Sequence, residues 1–585
     1  MSLNNVNYLI ALSMTRTNFN HQYYIPLWVT ALLFVLSHAY AQEKTFNEEI
    51  TVITSLNPII PDAFKINQNP EVNDTTTAIP AMSYSVMPRN AGIKMEIETL
   101  PAVKLVAEPL TKLYRNYLKA GLGNYYSFYG ELYASSLRSK SHLLGVHVKH
   151  FSSGGKIEDY GPTANSTQNA NIFGQKYFAN HTLSGNAFFK RNGLQLYGYK
   201  PSDFNDTSIS RDDLKQRYLT FGTGVTFTSR YKDGNKLNHS IGLSFYHLAD
   251  TYKVKENNMK TTANLSKQAD LFKWDKKQVL GVAVSYNFLN QQDSLSKINI
   301  GVLCIQPTLT ASYQEYTFKA GFGFYAGIDT VTNGHLYPLL EAKLGLIPGG
   351  LQLYAGIDGG LERNSVQSMS EQNPFISSGL PLNYMNNKFR AYGGFTSNIS
   401  RNFNFNGSIS NTTIENYPFF VTDTLNPLLN TFTLLQDDIS VTKVKAELEY
   451  IRNERLRLGI VGGYYSYDPG DQEYAWYKPA FDLVLTATYN MQDKIHLKFQ
   501  STYRGPVWAL TPDTDQDTDA KAIEKSLSSR KIDGWLDISL GAEYRFKKAL
   551  SFWLNLNNLT NNQHFSWYNY PSYRFNLLGG LTYSF

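Results

Sequence analysis

From residue 114 to the end, apolar and polar residues alternate one by one through segment after segment. Alternation of period two is what a strand with one apolar and one polar face requires. In 550–557, Leu550, Phe552, Leu554 and Leu556 fall on one face and Ser551, Trp553, Asn555 and Asn557 on the other. The same reading sets Ile495, Leu497 and Phe499 opposite His496, Lys498 and Gln500, and Phe403, Phe405 and Ile409 opposite Asn404, Asn406 and Ser408. It also sets Leu351, Leu353, Ala355, Ile357 and Leu361 against Gln352, Tyr354, Asp358 and Glu362. These segments run about nine to fifteen residues, whereas strands of a soluble sandwich run about five or six and a tilted strand crosses a bilayer in about nine to eleven. Beyond residue 41 there is no apolar run of about 18 residues, so only strands are available for spanning.

The connections carry a second, independent pattern. Short turns are expected at 138–141, 191–192, 232–236, 314–315, 348–349, 400–402, 453–454, 493–494 and 547–548. Between them fall long polar connections at 152–170, 200–213, 364–386, 416–430, 467–477, 505–530 and 560–572, with a few shorter ones such as 124–127. Short turns at one end and long loops at the other are the mark of a transmembrane barrel. The expected fold is therefore all-β, a transmembrane antiparallel β-barrel of about 22 strands over 114–585, whose even strand number returns the C-terminus to the periplasmic side. Closure leaves no edge and pairs every amide in the hydrocarbon.

Composition agrees with this. Aromatic residues make up 14% of the chain, with 41 Tyr, more than an ordinary soluble core needs. The net charge of +6 is spread through interspersed Lys, Arg, Asp and Glu and forms no basic face, which argues against nucleic acid as a partner. The single cysteine, Cys304, lies among Val302, Leu303 and Ile305 and reads as a packed or lipid-facing thiol.

Residues 1–41 read as a signal peptide. An apolar core of h-region length at 26–36 (PLWVTALLFVL) is followed by Ala39-Tyr40-Ala41, a small-x-small cleavage pattern, so the mature chain is expected to begin at Gln42. Residues 42–113 contain Pro58, Pro61, Pro70, Pro80, Pro88, Pro101 and Pro109 and read as an extended periplasmic or lumen segment without a packed core.

At the C-terminus, Gly580, Leu581, Tyr583 and Phe585 are arranged like the assembly signal on which outer-membrane barrels end. Asn557-Asn558-Leu559-Thr560-Asn561, then Trp567-Tyr568-Asn569-Tyr570-Pro571 and the last strand, resemble the end of TonB-dependent receptors, in the Asn- and Tyr-rich style of Bacteroidota members. The resemblance implies a 22-stranded barrel in the outer membrane of a Gram-negative cell, with solute uptake as its function. It departs from the family before the barrel, since residues 42–113 are too few for a standard plug domain. Within them Ile50, Thr51, Val52 and Ile53 resemble a TonB box, through which a receptor adds a strand to its energising partner. An extended tether, a lumen-filling strand or another periplasmic contact reads the same residues equally well.

A chemical site is not legible. The histidines are scattered, and none stands in a nucleophile or metal motif, so neither an enzyme nor a cofactor or metal site is expected. Ser152-Ser153-Gly154-Gly155-Lys156 lacks phosphate-loop spacing. Asp513, Asp515, Asp517 and Asp519 lack the Gly and terminal Glu of a calcium loop and read as a solvated acidic loop, with a short helix at 520–527. The polar strand faces place Lys119, Glu131, His147, Lys149, Asp358, Glu362, Arg457, Lys498, Asp537, Glu543 and Arg545 in the lumen, where mixed signs argue against a charge-selective ring. The expectation is an outer-membrane barrel for solute passage or uptake, linked to TonB or passive. Its alternative is a non-transporting barrel that serves as a structural or assembly platform. Outer-membrane lipids, the barrel-assembly machinery and TonB or another periplasmic protein are the expected partners.

Overall fold

A computed structural model of the protein describes residues 114–585 except 137–138, 204–209, 274–277, 294–295, 330, 399 and 513–526. The signal peptide, the segment 42–113 with Ile50, Thr51, Val52 and Ile53, and the acidic run Asp513 to Asp519 with most of the helix expected after it lie outside the described residues.

Twenty-two antiparallel strands form one closed sheet, from Asn116–Gly123 to Asn576–Ser584. Each strand pairs with its sequence neighbours, and the last pairs with the first in the register Tyr117↔Ser584 to Gly123↔Leu578. The backbone of Phe585 completes the seam. Its carbonyl accepts from the amides of Arg115 and Asn116 at 3.1 and 2.9 Å, and its own amide donates to the Asn116 carbonyl at 3.0 Å. Close approach here depends on glycine, because a Cβ at Gly580 would lie 1.9 Å from the Ala120 carbonyl oxygen.

The alternation sorts the side chains as expected. Leu550's partners Phe552 and Leu554, like Leu497, Leu540 and Leu581, are exposed on the outside of the barrel, the face that a transmembrane barrel turns to lipid. Turns at 314–315, 348–350, 453–455, 492–494 and 546–549 close one end of the barrel, close to their expected positions.

Several connections differ from expectation, among them 152–170, which shrinks to 154–164, and 505–530, which contains the hairpin strand Val507–Pro512 and most of its partner Leu527–Ile532. Arg191-Asn192 is not a turn but lies inside strand His181–Gln195, and the inner turn is 178–180. A polar Arg-Asn-Gly triplet looks like a loop, but Arg191 Nη1 donates to Gln168 Oε1 on the adjacent strand at 3.1 Å, and Asn192 pairs with Thr167. The expected loop at 416–430 shrinks to 423–431, because strands Phe403–Thr422 and Phe432–Arg452 continue well past the others. Their register shifts between Ile414 and Tyr417, where Asn416 takes φ 56°. Asn tolerates this left-handed conformation, and such a bulge bends the hairpin and raises its twist.

Candidate functional site

The lumen wall and the mouth at the long-loop end are the two places where polar and aromatic groups converge. On the wall, Lys119, Glu131 and Lys149 lie side by side in register on the first three strands, Asn116–Gly123, Ser127–Ser135 and His142–Ser153. Lys119 Nζ sits 4.3 Å from the centroid of the Trp553 ring and 5.5 Å from that of Tyr129, and Lys149 Nζ lies 5.5 Å from the Tyr129 ring. Glu131 accepts from the Tyr129 hydroxyl at 2.8 Å and pairs with His147 Nε2 at 2.8 Å. Glu543 stands opposite Trp553 and Lys498 opposite Gly541, on the same face. Two further pairs lie elsewhere on the wall: Asp358 Oδ1 accepts from Arg390 Nε at 2.7 Å, and Arg457 Nε meets Glu449 at 3.1 Å. Asp537 accepts from Ser539 at 3.1 Å, and Arg545 sits at the inner end opposite Ser551. Arg390 and Glu449 were not among the expected lumen residues, though alternation from Asp358 and Arg457 reaches both.

Glu362 stands apart from this wall. Pairing of Leu351–Arg363 with Thr332–Ile347 ends at Ile357, and beyond it the strand approaches Lys297–Tyr313 and Tyr316–Ile328, which are not its neighbours in the sheet. Leu361 is buried there with Ile300 and Val302, while Glu362 is exposed on its opposite side. The strand end has left the wall and folded inward. Cys304, in register with Ser285 and Tyr325, is buried on the inner side of the wall. Among the described residues there is no group of three or more His, Cys, Asp or Glu able to hold a metal.

The inward turn leads into the connection 364–383, which contains the helix Val366–Gln372. A capping box starts this helix: the Ser365 hydroxyl accepts from the Ser368 amide, and the Ser368 hydroxyl accepts from the Ser365 amide. Pro374, which cannot continue a helix, follows its end. The segment crosses to distant strands. Glu256, fully buried at the long-loop end of Lys255–Ala269, accepts from the amides of Val366 at 2.6 Å and Gln367 at 3.3 Å and from the Tyr246 hydroxyl at 2.9 Å. Lys190 on His181–Gln195 pairs with Glu371 at 2.6 Å, and the Tyr218 hydroxyl on Lys215–Ser229 donates to the Pro374 carbonyl at 3.2 Å. The far end joins the long hairpin, where Ile376 bridges to Phe432.

Other loops close over this strut. Phe375 stacks on Tyr570 with centroids 3.6 Å apart, Tyr197 meets both rings, and the Tyr197 hydroxyl donates to the Pro571 carbonyl at 2.9 Å. Trp567 packs against Phe420, Phe432 and Tyr477, and Tyr474 stacks on Trp508 at 4.2 Å. The largest apolar cluster in the barrel unit is thus built from the long loops and the strand ends that carry them, with Trp476, Phe419, Phe432 and Met369 almost completely buried. Burying each such side chain contributes about 1.5–3 kcal/mol, so the cap is a packed core in its own right. Beside it, a cleft of about 880 Å³ opens between the loops that contain Lys531 and His564, lined among others by Tyr160, Trp535, Tyr568 and Arg574. His564 stacks on Trp535 at 4.5 Å, and the Arg530 guanidinium lies 5.9 Å from the centre of the Tyr568 ring.

No family model and no curated protein matches the sequence. Solved structures do resemble the fold. The ferripyoverdine receptor of the outer membrane of Pseudomonas aeruginosa, bound to ferripyoverdine, aligns at TM-score 0.60 and 13% identity over 81% of this chain and 72% of its own. The FrpB iron transporter from Neisseria meningitidis (F3-3 variant) aligns at 0.60 and 11% over 81% and 82%, and the siderophore receptor PirA from Acinetobacter baumannii at 0.60 and 10% over 80% of each chain. At such identity the likeness is one of fold alone, and it establishes that this chain closes into a 22-stranded antiparallel barrel matching those of outer-membrane receptors.

Proposed function

We propose that the protein is a receptor-type barrel of the outer membrane that captures a solute at its capped mouth and passes it into a polar lumen. The observation that carries this reading is the strut 364–383, which reaches from strand Leu351–Arg363 across to Lys190, Tyr218 and Glu256 on distant strands. A segment in that position stands in the solute's path and has to move for passage. The aromatic and cationic cleft next to it supplies planar faces and positive charge for capture. Below, paired charges of both signs keep the wall hydrated without selecting strongly for one sign.

The test is a reversible lock on the strut. Lys190→Cys with Glu371→Cys, joined by a bifunctional methanethiosulfonate that spans the gap left by the two longer side chains, should silence conductance in planar bilayers while linked and restore it when the link is reduced. A barrel that never conducts in either state, even after removal of residues 42–113, rules out passive passage. The reading also includes cleavage after residue 41, a Bacteroidota origin, assembly by the barrel-assembly machinery through Gly580 to Phe585, and energising through Ile50 to Ile53. Failure of a TonB C-terminal domain to bind the intact protein would remove the last of these.

The packing of the cap favours a second reading, a platform for envelope partners. So large a rigid outer surface suits a stable partner, and this reading requires a stoichiometric protein that co-purifies with a non-conducting barrel.

A further inference from the structure

Outward-facing cations at the long-loop end of the wall are concentrated on one arc. On strand His181–Gln195 the outward positions run Leu183, Ala187, Phe189 and then Arg191, and on Lys215–Ser229 they run Phe227, Val225, Phe221, Leu219 and then Arg217 and Lys215. Leu183, Phe189, Phe221 and Val225 are exposed, as lipid-facing residues are. Phe189 stands opposite Phe221, so at about 3.3 Å per residue Arg191 lies roughly 7 Å and Arg217 roughly 13 Å farther along the strands than this apolar pair. Lys255 and Lys297 continue the arc on later strands. By contrast, the outward faces of the six strands from Leu456–Pro469 to Asn576–Ser584 carry no Lys or Arg.

The arc also has a built notch. Gly193 faces Arg217 directly, leaving a side-chain position empty between Ser166 and Arg217, where a Cβ would come 3.1 Å from Ser166 Oγ. The resulting depression of about 500 Å³ is lined by Ser166, Arg191, Gly193, Lys215 and Arg217, among others. Arg191 is held in place by Gln168 and Ser166, Lys215 pairs with Asp212, and the Arg217 guanidinium has no side-chain partner among the described residues. Arg191 and Arg217 are diagonal neighbours, about 7–8 Å apart, and like charges so placed repel unless an anion lies between them. Guanidinium groups take phosphate oxygens in bidentate pairs.

We propose that Arg191, Arg217 and Lys215 form a binding site for the phosphate of a phosphorylated glycolipid in the outer leaflet, with its acyl chains lying on Phe189 and Phe221. The inference rests on the placement of the long loops outside the cell. It does not depend on whether solute passes through the lumen.

The intact protein is placed in nanodiscs doped with bis-phosphorylated lipid A or with the same glycolipid lacking phosphates, and retained lipid is counted by native mass spectrometry. The phosphorylated lipid should be retained and the dephosphorylated one lost. R191Q, K215Q and R217Q should each weaken retention about fivefold, since a cation at a membrane surface contributes about 1 kcal/mol. Gly193→Leu, which fills the notch and keeps every charge, should also weaken it, and it serves as the readout if the charge variants fail to fold by heat-modifiability. Lys547→Gln, at the inner end, should change nothing. Equal retention of both glycolipids, or undiminished retention by the folded variants, overturns the proposal. Displacement by millimolar inorganic phosphate also overturns it, because it would mark a free-anion site. Bilayer conductance read on the same proteins separates a failure of this site from a failure of the transport reading.

Discussion

His564 shows how one side chain ties a loop to the wall. Its ring lies on Trp535, and burial there disfavours the imidazolium and lowers its pKa below the ordinary 6.5, while Asp537 pulls the other way. A lowered folded value means that the contribution of His564 to docking of 558–575 is fully present above about pH 6.5 and is lost as pH falls through the depressed value. Hydrogen exchange in 558–575 should therefore rise on acidification, and His564→Phe, which keeps the stack, should remove the pH dependence. An equally steep dependence in that variant would place the titrating group elsewhere. His564 was visible in the sequence only as one of several scattered histidines, because its partner Trp535 belongs to another strand and only the fold brings them together.

Among the elements, the strut 364–383 has the most to explain. With Ser368 where a capping-box signature has Glu or Gln, the long polar connection was legible only as a loop. Its anchor, Glu256, sits at a strand end more than a hundred residues earlier in the chain. Replacing it by Ala leaves the amides of Val366 and Gln367 and the Tyr246 hydroxyl without their acceptor, at a cost of about 1–3 kcal/mol. Glu256→Ala should thus expose 364–383 to protease while the barrel stays heat-resistant, and Glu256→Gln, which keeps an acceptor oxygen, should do so less. A strut as protected in the Ala variant as in the wild type would mean that apolar packing alone holds it.

For the whole barrel, the seam between its first and last strands is the decisive joint. Gly580→Val would drive a side chain into the Ala120 carbonyl and Gly121, both backbone, so the variant should fail to form a heat-modifiable barrel. Gly579→Ala would meet chiefly the flexible Leu554 side chain at 3.2 Å and should fold. Assembly of both to the same extent would show that the seam tolerates a gap. By itself the sequence determined the barrel: its fold class, strand number and outward apolar faces follow from a period-two pattern repeated at membrane-spanning length, which is local information. Even the face of Lys119, Glu131 and Lys149 could be read from that pattern. Only the tertiary structure decided that the mouth is crossed and capped, that Arg191 lies in a strand, and that Leu361 packs inside. Those outcomes depend on contacts between residues far apart in the chain, such as Tyr197 with Tyr570 and Glu256 with Val366, and no spacing along the chain encodes which loops will meet.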